Sequence, residues 1–145
     1  MKNPRIQKPS AWRRIAAPIA WLILGAGLAP AAHAADTSPA QQLERFSAQA
    51  GAPGQPERGR VLFTTRQGGE WSCASCHGNP PTAPGKHAGT GKAIEPLAPA
   101  ANPKAFTDTA KVDKWLRRNC NDVLKRECSA GEKADLLAYL QTLAR

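Results

Sequence analysis

The chain has 145 residues, of which 41% are hydrophobic and 6% aromatic, and its 20 Lys and Arg against 11 Asp and Glu give a formal net charge of +9. Five of the basic residues lie in the first 34 positions, which contain no acidic residue, so residues 35–145 carry 15 basic and 11 acidic side chains, a net charge of +4. This modest net charge, without an arginine-rich or aromatic-interleaved run, argues against nucleic-acid binding. The sequence also lacks the paired carboxylates or the Ser/His/Asp set that would indicate a hydrolase.

The first 34 residues have the pattern of a secretory signal peptide. A basic segment precedes the mostly apolar stretch 15–28, and Ala32-His33-Ala34 has the small-x-small form of a cleavage site. Because the apolar stretch is short and contains Pro18, an uncleaved membrane anchor is the less favoured alternative. We predict that residues 1–34 are removed after Ala34 and that residues 35–145 form a single domain in the bacterial periplasm.

Two short helices are predicted at the start of that domain. Ser38 is a capping residue followed by Pro39, and apolar residues then recur at helical spacing until Gly51 ends the run. A second helical segment follows over residues 57–63, where Gly59 would permit close contact with another helix.

The motif at residues 73–77, Cys-Ala-Ser-Cys-His, has the Cys-x-x-Cys-His spacing of a covalent haem c attachment site. Thiols three residues apart leave one face of a helical turn, so Cys73 and Cys76 can form thioethers with the two vinyl groups on one porphyrin edge. His77 is then held where its neutral imidazole can serve as the proximal iron ligand. We therefore predict one covalently bound haem c.

A Cys-x-x-Cys pair also occurs in zinc sites and in thioredoxin-like redox centres. A structural zinc site requires a second ligand pair at similar spacing, whereas Cys120 and Cys128 are eight residues apart. A thioredoxin-like centre requires alternating strands and helices, and none is predicted around the motif. Both alternatives are less favoured than haem.

Residues 78–105 contain six prolines and no helical or strand pattern. So long an irregular segment is unusual in a compact domain, but it can wrap a rigid apolar disc and bury Ile94 and Leu97 against it. His87 lies in this segment and is a conceivable second iron ligand, although a loop histidine is more often solvated.

Two further helices complete the chain. Thr107 or Asp108 caps the first, whose buried face would carry Val112, Trp115 and Leu116 before the turn-prone stretch 119–122. The last helix opens with a capping box at residues 129–132, and its buried stripe is formed by Leu136, Leu137, Leu140 and Leu143, with Tyr139 beside them. The pattern predicts an all-α fold with a long irregular loop after the haem motif.

The remaining cysteines and the lack of methionine bear on the second axial position. An oxidising compartment favours a disulfide between Cys120 and Cys128, since the other two thiols are consumed by haem. The only methionine is Met1, so residues 35–145 offer no thioether to the iron. The iron is therefore five-coordinate, binds water, or accepts His87, a lysine, or an oxygen or nitrogen donor such as Asn119.

Several motifs resemble the SHP cytochromes, the sphaeroides haem protein type of class I cytochrome c. The similarity spans nearly all of residues 35–145, and its most specific part is Asn119-Cys120 followed by Cys128. Other matching motifs are Glu57-Arg58-Gly59-Arg60, Cys73-Ala74-Ser75-Cys76-His77, Pro96-Leu97-Ala98-Pro99, Phe106-Thr107-Asp108, Lys114-Trp115-Leu116 and Gly131-Glu132-Lys133-Ala134-Asp135.

This resemblance implies a class I cytochrome c fold, Asn119 as sixth haem ligand and a disulfide between Cys120 and Cys128. It also implies that the reduced haem binds O2, NO or CO, and that the redox partners are a dihaem cytochrome c and a membrane cytochrome b. We expect a periplasmic electron-transfer protein whose Asn119 is displaceable, with a slow oxidase or reductase activity conceivable at its open site. The alternative is a module that binds or senses a diatomic gas, in which electron transfer only resets the haem.

Overall fold

The computed structural model describes residues 35–144, so the predicted signal peptide at residues 1–34 lies outside the described residues. Residues 35–144 form five helices: α1 (Pro39–Ala50), α2 (Pro56–Thr64), α3 (Cys73–His77), α4 (Thr109–Leu124) and α5 (Ala130–Thr142). Two two-residue strands, β1 (Gly85–Lys86) and β2 (Ala93–Ile94), pair antiparallel within the loop after α3. The prediction of an all-α fold with a long loop is confirmed, although the sequence analysis did not predict this small hairpin.

Side-chain caps begin α1 and α5, and a glycine ends α1, as the sequence predicted. The Ser38 hydroxyl accepts the Gln41 N–H at 3.2 Å, and Gly51 ends α1 with a left-handed φ of 66° that glycine adopts without strain. At the start of α5, Glu132 donates its N–H to the Ser129 hydroxyl while its carboxylate accepts the Ser129 N–H at 2.8 Å.

The main core lies where α5 packs against α1 and α2. Phe46, Phe63, Leu137 and Leu140 are fully buried there. Gly59 allows α2 to approach α5 closely, because a Cβ at this position would overlap the carbonyl oxygen of Asp135. The expected close helix contact at Gly59 is thus confirmed, and it fixes α2 immediately ahead of the haem motif.

The predicted turn at residues 119–122 is wrong, because α4 continues through this stretch to Leu124. It ends where Lys125 adopts a left-handed φ of 60°. Cys120, Val123 and Leu124 recur at helical spacing and are buried in a second apolar cluster. Burial of this face therefore outweighs the turn preference of Asn and Asp.

Asn119 consequently lies within α4 and does not cap its end. No helix of residues 35–144 combines the length and apolar character needed to cross a bilayer.

Candidate functional site

Helix α3 is a single short turn whose two ends are tied by hydrogen bonds. The Ser72 N–H donates to the Ser75 hydroxyl at 3.0 Å, and the Gly78 N–H donates to the Ala74 carbonyl at 2.9 Å. These bonds satisfy groups that a five-residue helix would otherwise leave unpaired. The turn therefore presents Cys73, Cys76 and His77 from one fixed piece of backbone.

The hairpin of β1 and β2 packs directly on this turn. A Cβ at Gly85 would overlap the Cys76 carbonyl oxygen and lie 3.0 Å from the His77 Cα, so only glycine fits at this contact. The Ala88 N–H donates to the Cys76 Sγ at 3.3 Å. The loop therefore supports the second cysteine of the motif from outside.

The thiols of Cys73 and Cys76 are free, whereas Cys120 and Cys128 are joined by a disulfide. Burial raises the pKa of the Cys73 thiol to about 11. Desolvation disfavours the thiolate, so this cysteine is a neutral, partly buried thiol in the folded chain.

His77 has the environment of a neutral ligand. Burial lowers its pKa, because the imidazolium is costly to desolvate. Its Nδ1 is fully buried without a hydrogen-bond partner among the described residues. Neutral imidazole is the form that binds a metal.

A cavity of about 1530 Å³ opens beside α3. Its walls come from α3, the loop of residues 78–108 and α4, and the lining includes Cys73, Cys76, His77, His87, Ile94, Leu97, Phe106, Trp115, Leu116 and Asn119. Ile94 and Leu97, which the sequence predicted would pack against haem, both line this cavity.

Helix α4 contributes a second part of the cavity wall. The Asn119 side chain is exposed and makes no hydrogen bond within residues 35–144. The disulfide of the next residue, Cys120, to Cys128 spans 5.6 Å between Cα atoms and links the last turns of α4 to the start of α5. Asn119 is therefore carried on a supported helix while its amide remains available.

Trp115 differs from its prediction. Val112 and Leu116 are buried as expected, whereas Trp115 lines the cavity and is 45% exposed. Its ring lies 5.3 Å from the Lys114 Nζ and 5.5 Å from the Arg118 Cζ, so two cations hold it at the edge of the helix.

His87 also lines the cavity, but one of its ring nitrogens is occupied. Its Nδ1 accepts the Thr90 N–H at 3.1 Å. This hydrogen bond holds the His87 ring within the turn between β1 and β2.

The residues around the cavity fit a covalently attached haem c. Two free thiols three residues apart face the cavity beside a neutral imidazole without a hydrogen bond at its buried nitrogen. Within residues 35–144, no three His, Cys, Asp or Glu side chains gather as they would around a bare metal ion. The zinc alternative therefore lacks completing ligands in this part of the chain.

Two features of the site could not be found from the sequence. The contact of Gly85 with the Cys76 carbonyl joins a loop and a helix without a motif, and its only signal is the glycine itself. The hydrogen bond from Ala88 to Cys76 involves a backbone group, which carries no residue signature.

The chain is similar to known proteins in sequence. The chain matches the family described as "Domain of unknown function (DUF1924)" over residues 49–140. It is 56% identical over 124 residues to the cytochrome c-type protein SHP of Cereibacter sphaeroides, an alignment that covers 83% of this chain and 95% of the relative.

Solved structures are also similar to the described chain. Oxidised SHP, described as an oxygen-binding cytochrome c, superposes with a TM-score of 0.70 at 54% identity and covers 74% of this chain and 99% of that chain. The solution structure of cytochrome c'' from Methylophilus methylotrophus, described in connection with haem-ligand detachment, gives a TM-score of 0.64 at 36% identity. That match covers 74% of this chain and 94% of the other.

Proposed function

Because the chain belongs to the DUF1924 family and to the SHP cytochromes c, with their all-α cytochrome c fold and one covalently bound haem c, we propose that it is a periplasmic electron-transfer protein with an exchangeable axial ligand. In this proposal Cys73 and Cys76 form the two thioethers, His77 is the proximal ligand and Asn119 is the sixth ligand. Haem held by these residues would supply a redox-active iron that can bind an exchangeable ligand.

The proximal assignment rests on the geometry of α3. Both free thiols and the neutral imidazole come from one turn whose ends are hydrogen-bonded and whose backbone is packed against Gly85. A ligand held so closely keeps its position when the oxidation state changes. His77 is accordingly the fixed side of the site.

The distal assignment rests on the free amide of Asn119, and this is the observation that carries the proposal. An amide oxygen is a hard, neutral, weak-field donor that suits ferric iron better than ferrous iron. Because the Asn119 side chain makes no hydrogen bond within residues 35–144, it could leave the site on reduction without breaking one. The vacated place would be open to O2, NO or CO.

The relatives support exchange of this ligand. Oxidised SHP is described as an oxygen-binding cytochrome c, and cytochrome c'' is described in connection with haem-ligand detachment. We propose oxygen binding and ligand detachment for this chain because of its family and because the Asn119 side chain makes no hydrogen bond within residues 35–144. The proposed redox partners, as electron donor or acceptor, are a dihaem cytochrome c and a membrane cytochrome b.

The test replaces the proposed ligand and a matched neighbour. In Asn119→Ala holoprotein, the ferric absorption spectrum should change and carbon monoxide should bind the ferrous form at a different rate. Asn121→Ala is the control, because Asn121 lies on the same helix and its amide donates to the Arg117 carbonyl at 2.8 Å. Unchanged spectra and rates in Asn119→Ala would reject the assignment.

The described oxygen binding of SHP also favours a second candidate function, in which gas binding or sensing is the main task. Potentiometry and stopped-flow mixing with oxygen distinguish the two. Fast electron exchange with a dihaem cytochrome c supports the carrier, whereas tight, persistent gas binding with slow exchange supports the sensor.

A further inference from the structure

The net positive charge of the domain is concentrated in one segment. Residues 109–128, which comprise α4 and the loop to α5, contain six basic and three acidic side chains. Their net charge is +3, out of +4 for the whole of residues 35–145. The excess charge therefore lies along one element and is not spread over the surface.

Within this segment three cations share one face of α4. Lys111, Lys114 and Arg118 recur at intervals of three and four residues and are exposed. Residues so spaced on a helix lie one above another. Lys125, the C-cap residue that follows the helix, adds a fourth exposed cation at its end. We call these four residues the basic stripe.

Internal ion pairs neutralise only part of the basic stripe. Lys111 pairs with Asp108 at 3.0 Å, and Arg118 reaches Asp122 at 3.8 Å, which is a long contact between exposed groups. The other two cations have no carboxylate partner within residues 35–144. The neighbouring Asp113 is already engaged by Arg45 at 2.6 Å.

Three members of the basic stripe, Lys111, Arg118 and Lys125, line the haem cavity. Trp115 lies between the stripe and Asn119 around the helix, and its half-exposed ring is flanked by Lys114 and Arg118. Trp and Arg are enriched at the centres of protein interfaces, where a rigid aromatic surface is buried at low entropic cost. Positive charge at the cavity wall therefore coincides with an anchor residue.

We propose that the basic stripe and Trp115 form the docking surface for an acidic redox protein, a proposal that rests on the electron-transfer function proposed above. Complementary charge steers the encounter of the two proteins and orients it. Docking here brings the partner to the α4 edge of the cavity. The alternative docking surface is formed by the hairpin cations Lys86 and Lys92. Its positive charge is partly offset by Glu95, which lies close to them in sequence.

The test compares two double variants that lose the same charge. Lys114→Gln with Lys125→Gln removes the two cations of the stripe without carboxylate partners, and Lys86→Gln with Lys92→Gln removes the exposed hairpin pair. Each holoprotein is mixed in a stopped-flow instrument with a dihaem cytochrome c of net negative charge at several ionic strengths. The stripe variant should exchange electrons about tenfold more slowly at low salt, and the hairpin variant no more than about twofold more slowly.

Binding measured with both proteins oxidised separates docking from electron transfer. A weaker complex in the stripe variant alone supports the docking surface, whether or not electrons are transferred. A lack of electron transfer would reject only the proposed function. Equal or larger losses in the hairpin variant would overturn the docking surface while electron transfer stands. A third measurement is sedimentation with phosphatidylglycerol vesicles. If the wild type sediments with the vesicles and the stripe variant does not, while the acidic partner binds both variants equally, the surface is a membrane-binding surface instead.

Discussion

The two walls of the haem cavity are built in opposite ways. On the α3 side, hydrogen bonds close both ends of a single turn and a loop packs against its backbone at Gly85. On the α4 side, the helix is supported by burial and by the disulfide, while the Asn119 amide has no partner within residues 35–144. One wall fixes its functional groups, and the other supports the backbone but leaves its side chain free.

Substitutions in the two walls should therefore have different effects. Changes on the α3 side should affect attachment and stability together, because the functional groups and the backbone contacts occupy the same turn. Changes at Asn119 should affect ligand exchange with little effect on stability, since its side chain contributes no hydrogen bond.

Removal of both attachment thiols should have the largest effect. Cys73→Ser with Cys76→Ser abolishes thioether formation, so no haem should remain with the chain after denaturing electrophoresis and haem staining. Loss of the bound group should also lower the melting temperature, because a ligand that binds only the folded chain stabilises it. Covalent haem retained by this variant would contradict the assignment of the motif.

Removal of the disulfide tests the support of the α4 side. Cys120→Ser with Cys128→Ser should lower the free energy of unfolding by about 2 to 3 kcal/mol, the chain-entropy value for so short a closed loop. Denaturant titration of the holoprotein measures this loss. A loss below about 0.5 kcal/mol would show that burial of α4 alone holds this wall.

A methyl group at the loop contact tests the α3 side. Gly85→Ala should destabilise the protein by about 1 to 3 kcal/mol, because a Cβ would overlap a backbone oxygen that cannot move alone. Gly131→Ala is the control: its Cβ would meet nothing closer than 3.9 Å, and alanine should stabilise α5 by about 0.5 to 1 kcal/mol. Equal effects of the two substitutions would contradict the close contact.

The smallest effect is expected from a charged pair at the start of α5. A hydrogen bond from the Arg126 guanidinium, together with the Ser129 N–H, lowers the pKa of Glu132 to about 2. The stabilisation is therefore present above the ordinary pKa of 4.5 and is lost as the pH falls towards about 2. Because the pair is partly exposed, the loss should not exceed about 1 kcal/mol.

The measurement is the free energy of unfolding as a function of pH. In Glu132→Gln the decline between pH 4.5 and pH 2 should be shallower than in the wild type. An identical decline in both proteins would assign the acid sensitivity to other carboxylates.

The sequence predicted those parts of the molecule that depend on local chemistry. Helix starts followed from capping residues such as Ser38 and Ser129, and the covalent haem followed from a contiguous motif. The end of α4 was predicted wrongly, because the turn preference of residues 119–122 is local, whereas the burial of Cys120 and Leu124 depends on distant parts of the chain. Contacts made by backbone atoms, such as that of Ala88 with Cys76, leave no pattern in the sequence.

The loop contacts on the haem motif have a consequence for biogenesis. Once the polypeptide has folded, the Ala88 N–H donates to the Cys76 Sγ, and burial raises the pKa of the Cys73 thiol to about 11. A protonated thiol is a poor nucleophile. The thioether of Cys73 should therefore form on an extended polypeptide, and the hairpin should pack against the turn afterwards.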